Sequence, residues 1–445
     1  MALDAWFRDA VTKTGRWELD QIIYRSDQGN LLEVAHDLDA LAATHDAAGW
    51  KQLWDQRFRL APYPYQSGIW GKKELVLPGI PDEHVVSLGE GATPLIHMRR
   101  YAEHLGLTDC WIKQCGTTHS GSFKDLGMTV LVSQVNHIMR SRESGILGVA
   151  CASSGDTSAA LAAYCATAGI PSVVLLPDAK VSPAQLVQPM SNGTLTLALD
   201  TDFDGCMRVV QELTEDSKLY LANSMNSLRI EGQKTVGIEI IQQLGWQVPD
   251  WLVIPGGNLG NVSALYKGLE ELLTLGVIDR LPRILVAQAE QANPLYRAYQ
   301  NNWDYAPITA GPTQASAIRI GNPVSYPKAV AALQQHHGVV EQASEQELAD
   351  ECALADRCGQ FTCPHTGVAL AALRKLVDRG EITRSDSVVV ISTAHGLKFG
   401  NVKADYHANA IDGVSATYAN TPVRLAATRD SVYDAVMRHV EQSLV

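Results

Sequence analysis

From Gly145 onward the chain alternates short, continuously apolar runs with longer amphipathic ones, and Gly- or Ser-rich turns separate them. GILGVA (145–150), PSVVLLPD (171–178), GTLTLALD (193–200), DWLVIP (250–255), PRILVAQAE (282–290) and SVVVIS (387–392) are predicted strands. Runs this apolar, without polar alternation, suit strands buried on both faces of a parallel sheet. TSAALAAYCATAG (157–169), DGCMRVVQELTEDS (204–217), VSALYKGLEELLTLG (262–276), EQELADECALADRCG (345–359) and TGVALAALRKLVDRG (366–380) are predicted helices. Strand, turn and helix in succession predict an α/β fold with ligands at the carboxyl ends of the strands. The first ninety or so residues follow another pattern. They hold five of the nine tryptophans, and residues 30–64 read as mostly helix, ending at Pro62 and Pro64. An accessory segment packed on a catalytic body is expected there. No fixed-period repeat or low-complexity tract interrupts the chain.

Bulk properties narrow the function classes. At 445 residues the chain is too long for one ordinary core. With 46% hydrophobic and 19% charged residues it is globular in composition. A formal net charge of −12 argues against nucleic acid as a partner, because phosphate backbones require a basic footprint. No apolar run is long enough to span a bilayer, and MALDAWFRDA lacks the basic-then-apolar order of a secretory signal. The eight cysteines include no C-x-x-C pair, so no metal site is expected and reduced thiols in a cytoplasmic protein are.

Three turns carry candidate chemistry. PGGNLGN (255–261) follows an apolar strand and precedes a helix. Its glycines let the backbone approach an anion, and the helix start favours negative charge, although a tight β–α turn would read the same way. Its spacing is not the G-x-G-x-x-G of dinucleotide sites, which speaks against a nicotinamide dehydrogenase. SSGDTS (153–158) suits a carboxylate at a helix start, and helix capping alone also explains Ser154 or Thr157. In STAHGLKF (392–399), Thr393 can offer a hydroxyl to a ring nitrogen. His395 there is more often structural than a general base. Lys124, in THSGSFKDLGMTV (118–130), sits between a small-residue turn and an apolar helix. It is either a solvated helix-start lysine or a covalent catalyst that captures a carbonyl. An aldehyde cofactor bearing a phosphate would use Lys124 and the 255–261 turn together, and pyridoxal phosphate has both groups.

SGSFKD followed far downstream by GGNLGN resembles the fold-type II, tryptophan synthase β-like pyridoxal-phosphate enzymes. HSGSFKDLGM, ACASSGDTSAALAAYCA, TDFDGCM, LANSMNSLRIEGQKT, VPDWLVIPGGNLGN, CPHTGVALAAL and STAHGLKF are similar to the plant-type branch of the threonine synthase family. So are IIYRSDQGNLLEVAHDLDAL and KADYHANAID, so the resemblance covers nearly the whole chain. Many members of that family carry a Cys-x-x-Cys pair ahead of residues like GGLLEV, whereas YRSDQGNLLEV has none.

The resemblance implies two open, twisted, mostly parallel sheets flanked by helices, with a mainly helical N-terminal extension. It implies an accessory segment over 1–90, a large cofactor-binding domain over 91–130 and 230–445, and a smaller α/β domain over 131–229. The implied reaction is γ-elimination of phosphate from O-phospho-L-homoserine and β-addition of water to give L-threonine. Lys124 would hold the cofactor and then serve as acid and base. Gly257, Asn258, Leu259, Gly260 and Asn261 would bind its phosphate, and Thr393 would meet its ring nitrogen. Asp156 would face the phenolic oxygen, where wider fold-type II enzymes usually have asparagine; an ionised aspartate accepts but does not donate. Ser154 and Thr157 would take the substrate carboxylate. Asn226, Ser227 and Arg229 would take the substrate phosphate, with the planar fork of Arg229 as the clamp. A surface arginine at a helix start is the alternative reading of Arg229. The family further implies a homodimer and S-adenosylmethionine as an effector. Threonine dehydratase and cysteine synthase, which need no substrate phosphate site, are the nearest rivals, and a cofactor-binding protein without turnover is another.

Overall fold

The computed structural model describes residues 3–141, 144–153, 155–178, 183–216 and 218–443. Its strands in chain order are β1 (Ala5–Asp9), β2 (Leu32–His36), β3 (Leu95–His97), β4 (Asp109–Gln114), β5 (Gly148–Ala152) and β6 (Ser172–Pro177). Then come β7 (Leu195–Leu199), β8 (Leu219–Leu221), β9 (Trp251–Pro255), β10 (Arg283–Ala289), β11 (Val339–Ala343) and β12 (Ser387–Ser392). They form a strand pair β1–β2, a four-stranded sheet ordered β7-β6-β5-β8 and a six-stranded sheet ordered β11-β10-β9-β12-β4-β3. Both larger sheets are parallel except at the edge, where β3 runs antiparallel to β4. The α/β fold read from the apolar runs is therefore present, and helices flank both sheets.

The predicted strands β5, β6, β9, β10 and β12 are largely buried, whereas GTLTLALD, also read as a buried strand, forms the edge strand β7 with no buried position. DCWIKQ reads poorly as a strand because it mixes charge with apolar residues. It becomes β4 because Lys113, buried in the sheet, pairs with the buried Glu239. Residues 30–64 differ from their reading as mostly helix: LEVAH forms β2, and helix resumes only at Leu38–Ala42 and Ala47–Arg57. The first half of β2 alternates buried and half-buried positions, and β1 supplies the pairing partner that a local pattern does not reveal.

The N-terminal segment holds the site helices in place. Trp50, Trp54 and Trp70 are wholly buried. Truncating such a ring to alanine typically costs about 3–5 kcal/mol. Trp70 Nε1 donates to Thr129 Oγ1 at 2.8 Å, and Thr129 Oγ1 donates to the Val86 carbonyl at 2.7 Å. Both bonds fall on the helix Lys124–Ser141, which begins at the candidate lysine. His36, at the end of β2, lies 2.8 Å from Glu231 on the short helix Leu228–Gln233, which carries Arg229. Among the described residues no helix is long and apolar enough to cross a membrane.

Candidate active site

Four turns meet at one cleft because each follows the carboxyl end of a parallel strand. The neighbours β9, β12 and β4 lead into residues 256–261, into Thr393 and into the turn before Lys124. In the other sheet β5 leads to Asp156 at the start of helix Asp156–Ala168. The Lys124 turn and the Thr393 turn are tied together by the backbone. Phe123 N donates to the Thr393 carbonyl and His395 N to the Gly121 carbonyl, both at 2.9 Å.

Lys124 lines this cleft, half-buried, with Nζ 4.0 Å from the centre of the Phe123 ring. Removal from water, and then the nearby Arg229 cation, push its pKa down to about 7, while Asp156 pulls it upward. A lysine in that range is a nucleophile and a proton carrier near neutral pH.

Gly257, Asn258, Leu259, Gly260 and Asn261 also line the cleft. Helix Gly260–Thr274 has no side-chain cap, and Leu259 enters it with φ +63°. Its first N–H groups are therefore left to a ligand or to water. A Cβ on Gly257 would stand 2.9 Å from the Ile318 Cα, so the wall is as close as backbone can come. The side chains of this turn brace it: Asn261 Nδ2 donates to the Pro255 carbonyl at 2.7 Å, and Asn258 Oδ1 accepts from Val324 N at 3.3 Å. Thr393 also lines the cleft, buried, with Oγ1 3.9 Å from the Cys363 sulfur.

Arg229 is 3% exposed and pairs with no carboxylate among the described residues. Nη1 donates to the Ala222 carbonyl at 3.0 Å and Nη2 to Thr157 Oγ1 at 3.4 Å, while Nε has no partner. Burial lowers its pKa to about 10. A buried guanidinium beside a second cation is unfavourable unless an anion joins it, so this end of the cleft calls for an anionic ligand.

The structure thus brings Lys124, Asp156, Arg229, the residues 257–261 and Thr393 to one cleft. Thr157 is not among the residues that line the cleft, and its Oγ1 accepts from Arg229 Nη2 at 3.4 Å. Asn226 is turned away, since Nδ2 donates to the Leu221 carbonyl and Oδ1 accepts from Leu228 N. Ser227 is the buried residue that opens the Arg229 helix. Ser154 lies outside the described residues. His395 is not in the cleft; its Nδ1 accepts from Leu397 N at 3.2 Å and caps the turn that follows.

His365, Gln233 and Ser224 line the cleft and were not singled out by sequence. His365 stands in the first turn of a helix of small apolar residues, and nothing local shows that its Nε2 accepts from Ala317 N at 3.0 Å. Burial works to raise the neighbouring Cys363 thiol, yet the His365 ring and Thr366 bring it down to about 7. His36, Glu231 and Glu271 are near enough to one another for a metal. The Lys234 ammonium already fills their centre, 2.7 Å from Glu231, 2.6 Å from Glu271 and 3.2 Å from His36.

An amine of depressed pKa, an uncapped helix start and a buried hydroxyl fit an aldehyde, a phosphate and a ring nitrogen. Pyridoxal phosphate therefore fits these residues, and Arg229 is left over for a second anion. Comparisons with known proteins agree. The profile of the family described as "Pyridoxal-phosphate dependent enzyme" matches residues 86–394. The chain is 52% identical over 440 residues to "Threonine synthase 2, chloroplastic" from Arabidopsis thaliana, covering 98% of this chain and 85% of that one. It is 38% identical over 384 residues to threonine synthase from Methanocaldococcus jannaschii, covering 86% and 90%. The solved structure of Escherichia coli threonine synthase superposes with a TM-score of 0.67 at 19% identity, covering 97% of this chain and 99% of that one.

Proposed function

Because the chain belongs to the threonine synthase family of pyridoxal-phosphate dependent enzymes, we propose that it converts O-phospho-L-homoserine and water to L-threonine and phosphate. The observation that carries this reading is Arg229: a second anion site, apart from the 257–261 turn, facing the same lysine. A dehydratase or cysteine synthase has no need of it.

When bound, pyridoxal phosphate would supply the electron sink for removing protons beside the amino-bearing carbon. Residues 257–261 would hold its phosphate, Thr393 its ring nitrogen, Asp156 the edge bearing the phenolic oxygen, and Lys124 its aldehyde. Released by incoming substrate, Lys124 gives and takes protons, a task suited to its pKa of about 7. Thr157, with Ser154, receives the substrate carboxylate. Arg229 holds the substrate phosphate and fixes the Cγ–O bond for departure; Asn226 and Ser227 shape the turn that delivers it. The four-stranded body closes over the six-stranded one, shutting water out until it is needed at Cβ. The division expected at residues 90, 130 and 230 belongs to this reading, with the four-stranded sheet inside 131–229 and the six-stranded sheet inside 91–130 and 230–445. The family resemblance supports a homodimer and an S-adenosylmethionine effector. All eight cysteines are free and seven are buried, which supports a reducing compartment such as the cytoplasm.

The test is turnover: purified protein given O-phosphohomoserine forms phosphate and threonine in equal amounts. Deamination of threonine or serine without phosphate release would favour a dehydratase instead. A pH dependence also follows. Lys124 is charged below about pH 7 and neutral above it. Cofactor capture by the cofactor-free protein therefore quickens as pH rises through about 7 and then levels off, read from the growth of the lysine-linked absorption band. An ordinary lysine would keep quickening to about pH 10.

A further inference from the structure

Lys398 lies in the turn after β12 and belongs to none of the roles above, yet its ammonium reaches Asp156, which lines the cleft. Its ammonium donates to the Ser120 carbonyl at 2.9 Å and to Gln188 Oε1 at 2.8 Å, and lies 3.2 Å from Asp156 Oδ1. Three acceptors match the three donors of an ammonium. The Lys398 and Asp156 side chains are only 18% and 8% exposed. The stem passes over Gly121, where a Cβ would stand 3.0 Å from Lys398 Cδ. Gln188 Nε2 also donates to the Ser120 carbonyl, at 3.0 Å.

These partners come from three places. Ser120 belongs to the turn that presents Lys124. Asp156 opens the helix after β5, and Gln188 lies on helix Pro183–Ser191 between β6 and β7. One side chain of the six-stranded body thus holds two helices of the four-stranded body against the lysine turn. It does so through the same carboxylate that acts on Lys124.

We infer that Lys398 is a positioning residue for Lys124: it offsets the charge of Asp156 and fastens the two bodies across the cleft, so that Lys124 keeps a readily exchanged proton. This rests on the reading of Lys124 as the cofactor lysine. The charged groups facing Lys124 are Arg229 and Asp156, with the His365 ring on the far wall. Asp125, next in sequence, is turned onto Ser120 and Thr118. Without Lys398 the carboxylate of Asp156 acts on Lys124 unopposed, and the proton on the lysine nitrogen is held more tightly.

The experiment is a spectroscopic pH titration of the holoenzyme, following the absorption of the lysine-linked cofactor. In Lys398→Met the midpoint moves up by about one pH unit, the low end for an opposite charge acting at this range. Lys398→Arg restores the parent midpoint. In an Asp156→Asn background, Lys398→Met causes no further shift. Lys398→Gln, which keeps a donor but not the charge, gives the same reading should the Met variant fail to fold. An unmoved midpoint, or an equal shift with and without Asp156, overturns the inference. Labelling of Lys124 by an amine reagent across pH, in the full-length cofactor-free protein, shows the same upward shift. That labelling needs no cofactor, so failure to bind pyridoxal phosphate would sink the functional reading while leaving this measurement intact.

Discussion

Lys124→Ala yields a protein that folds, binds no cofactor covalently and has lost at least about 10⁴-fold in threonine formation, the upper end of what a positioned acid–base group contributes. The loss is this large because one amine serves as both anchor and proton carrier. No other described lysine lines the cleft to replace it. Stability moves the other way. The pKa of Lys124 is lower in the folded chain than in the unfolded one, so at neutral pH the unfolded state binds more protons. The lysine therefore opposes folding at pH 7, and less so as pH rises toward about 10. With both proteins cofactor-free, the alanine variant should melt at or above the parent temperature at neutral pH. The two melting temperatures should converge in alkaline buffer. Calorimetry at two pH values, set beside the absorption spectrum, checks both halves. A variant that lost activity by unfolding would melt early at either pH.

Arg229→Leu should separate the two anion sites. Cofactor loading stays near the parent level, because residues 257–261 and Lys124 are untouched. The kcat/KM for O-phosphohomoserine falls by about 10²- to 10³-fold, in line with the roughly 2–5 kcal/mol lost when one partner of a buried charge pair is removed. Arg229→Lys recovers only part of this, since an ammonium cannot reproduce the planar fork. The variant loses little stability, because the guanidinium is buried without a carboxylate. Kinetics of both variants, with cofactor content measured by absorbance, is the check. If cofactor content and turnover fall together in both, Arg229 belongs to the cofactor's phosphate and the assignment of the two ends is reversed.

How far the sequence reached depends on whether each signal was local. β5, β6, β9, β10 and β12 were readable because strands buried on both faces leave unbroken apolar runs. β4 was not, because Lys113 is acceptable in a sheet interior only with Glu239, which lies on a distant helix. β2 was missed for a similar reason, as LEVAH needs AWFRD beside it. The 257–261 turn and Thr393 were legible because each follows a readable strand, and Lys124 because a small-residue turn runs into an apolar helix there. The Asn226 side chain looked equally available in NSMNSLR, but its amide is held by Leu221 and Leu228. The pairing of Asp156 with Lys398 joins residues far apart in sequence, and only the fold shows why an acid is tolerated at the cleft.

In the proposed reaction phosphate leaves by carbon–oxygen cleavage and water then adds to the carbon skeleton. Turnover of O-phosphohomoserine in water enriched in heavy oxygen tests it most directly. One heavy oxygen should appear in the hydroxyl of each threonine and none in the released phosphate. Heavy oxygen in the phosphate, with homoserine as the product, would contradict it.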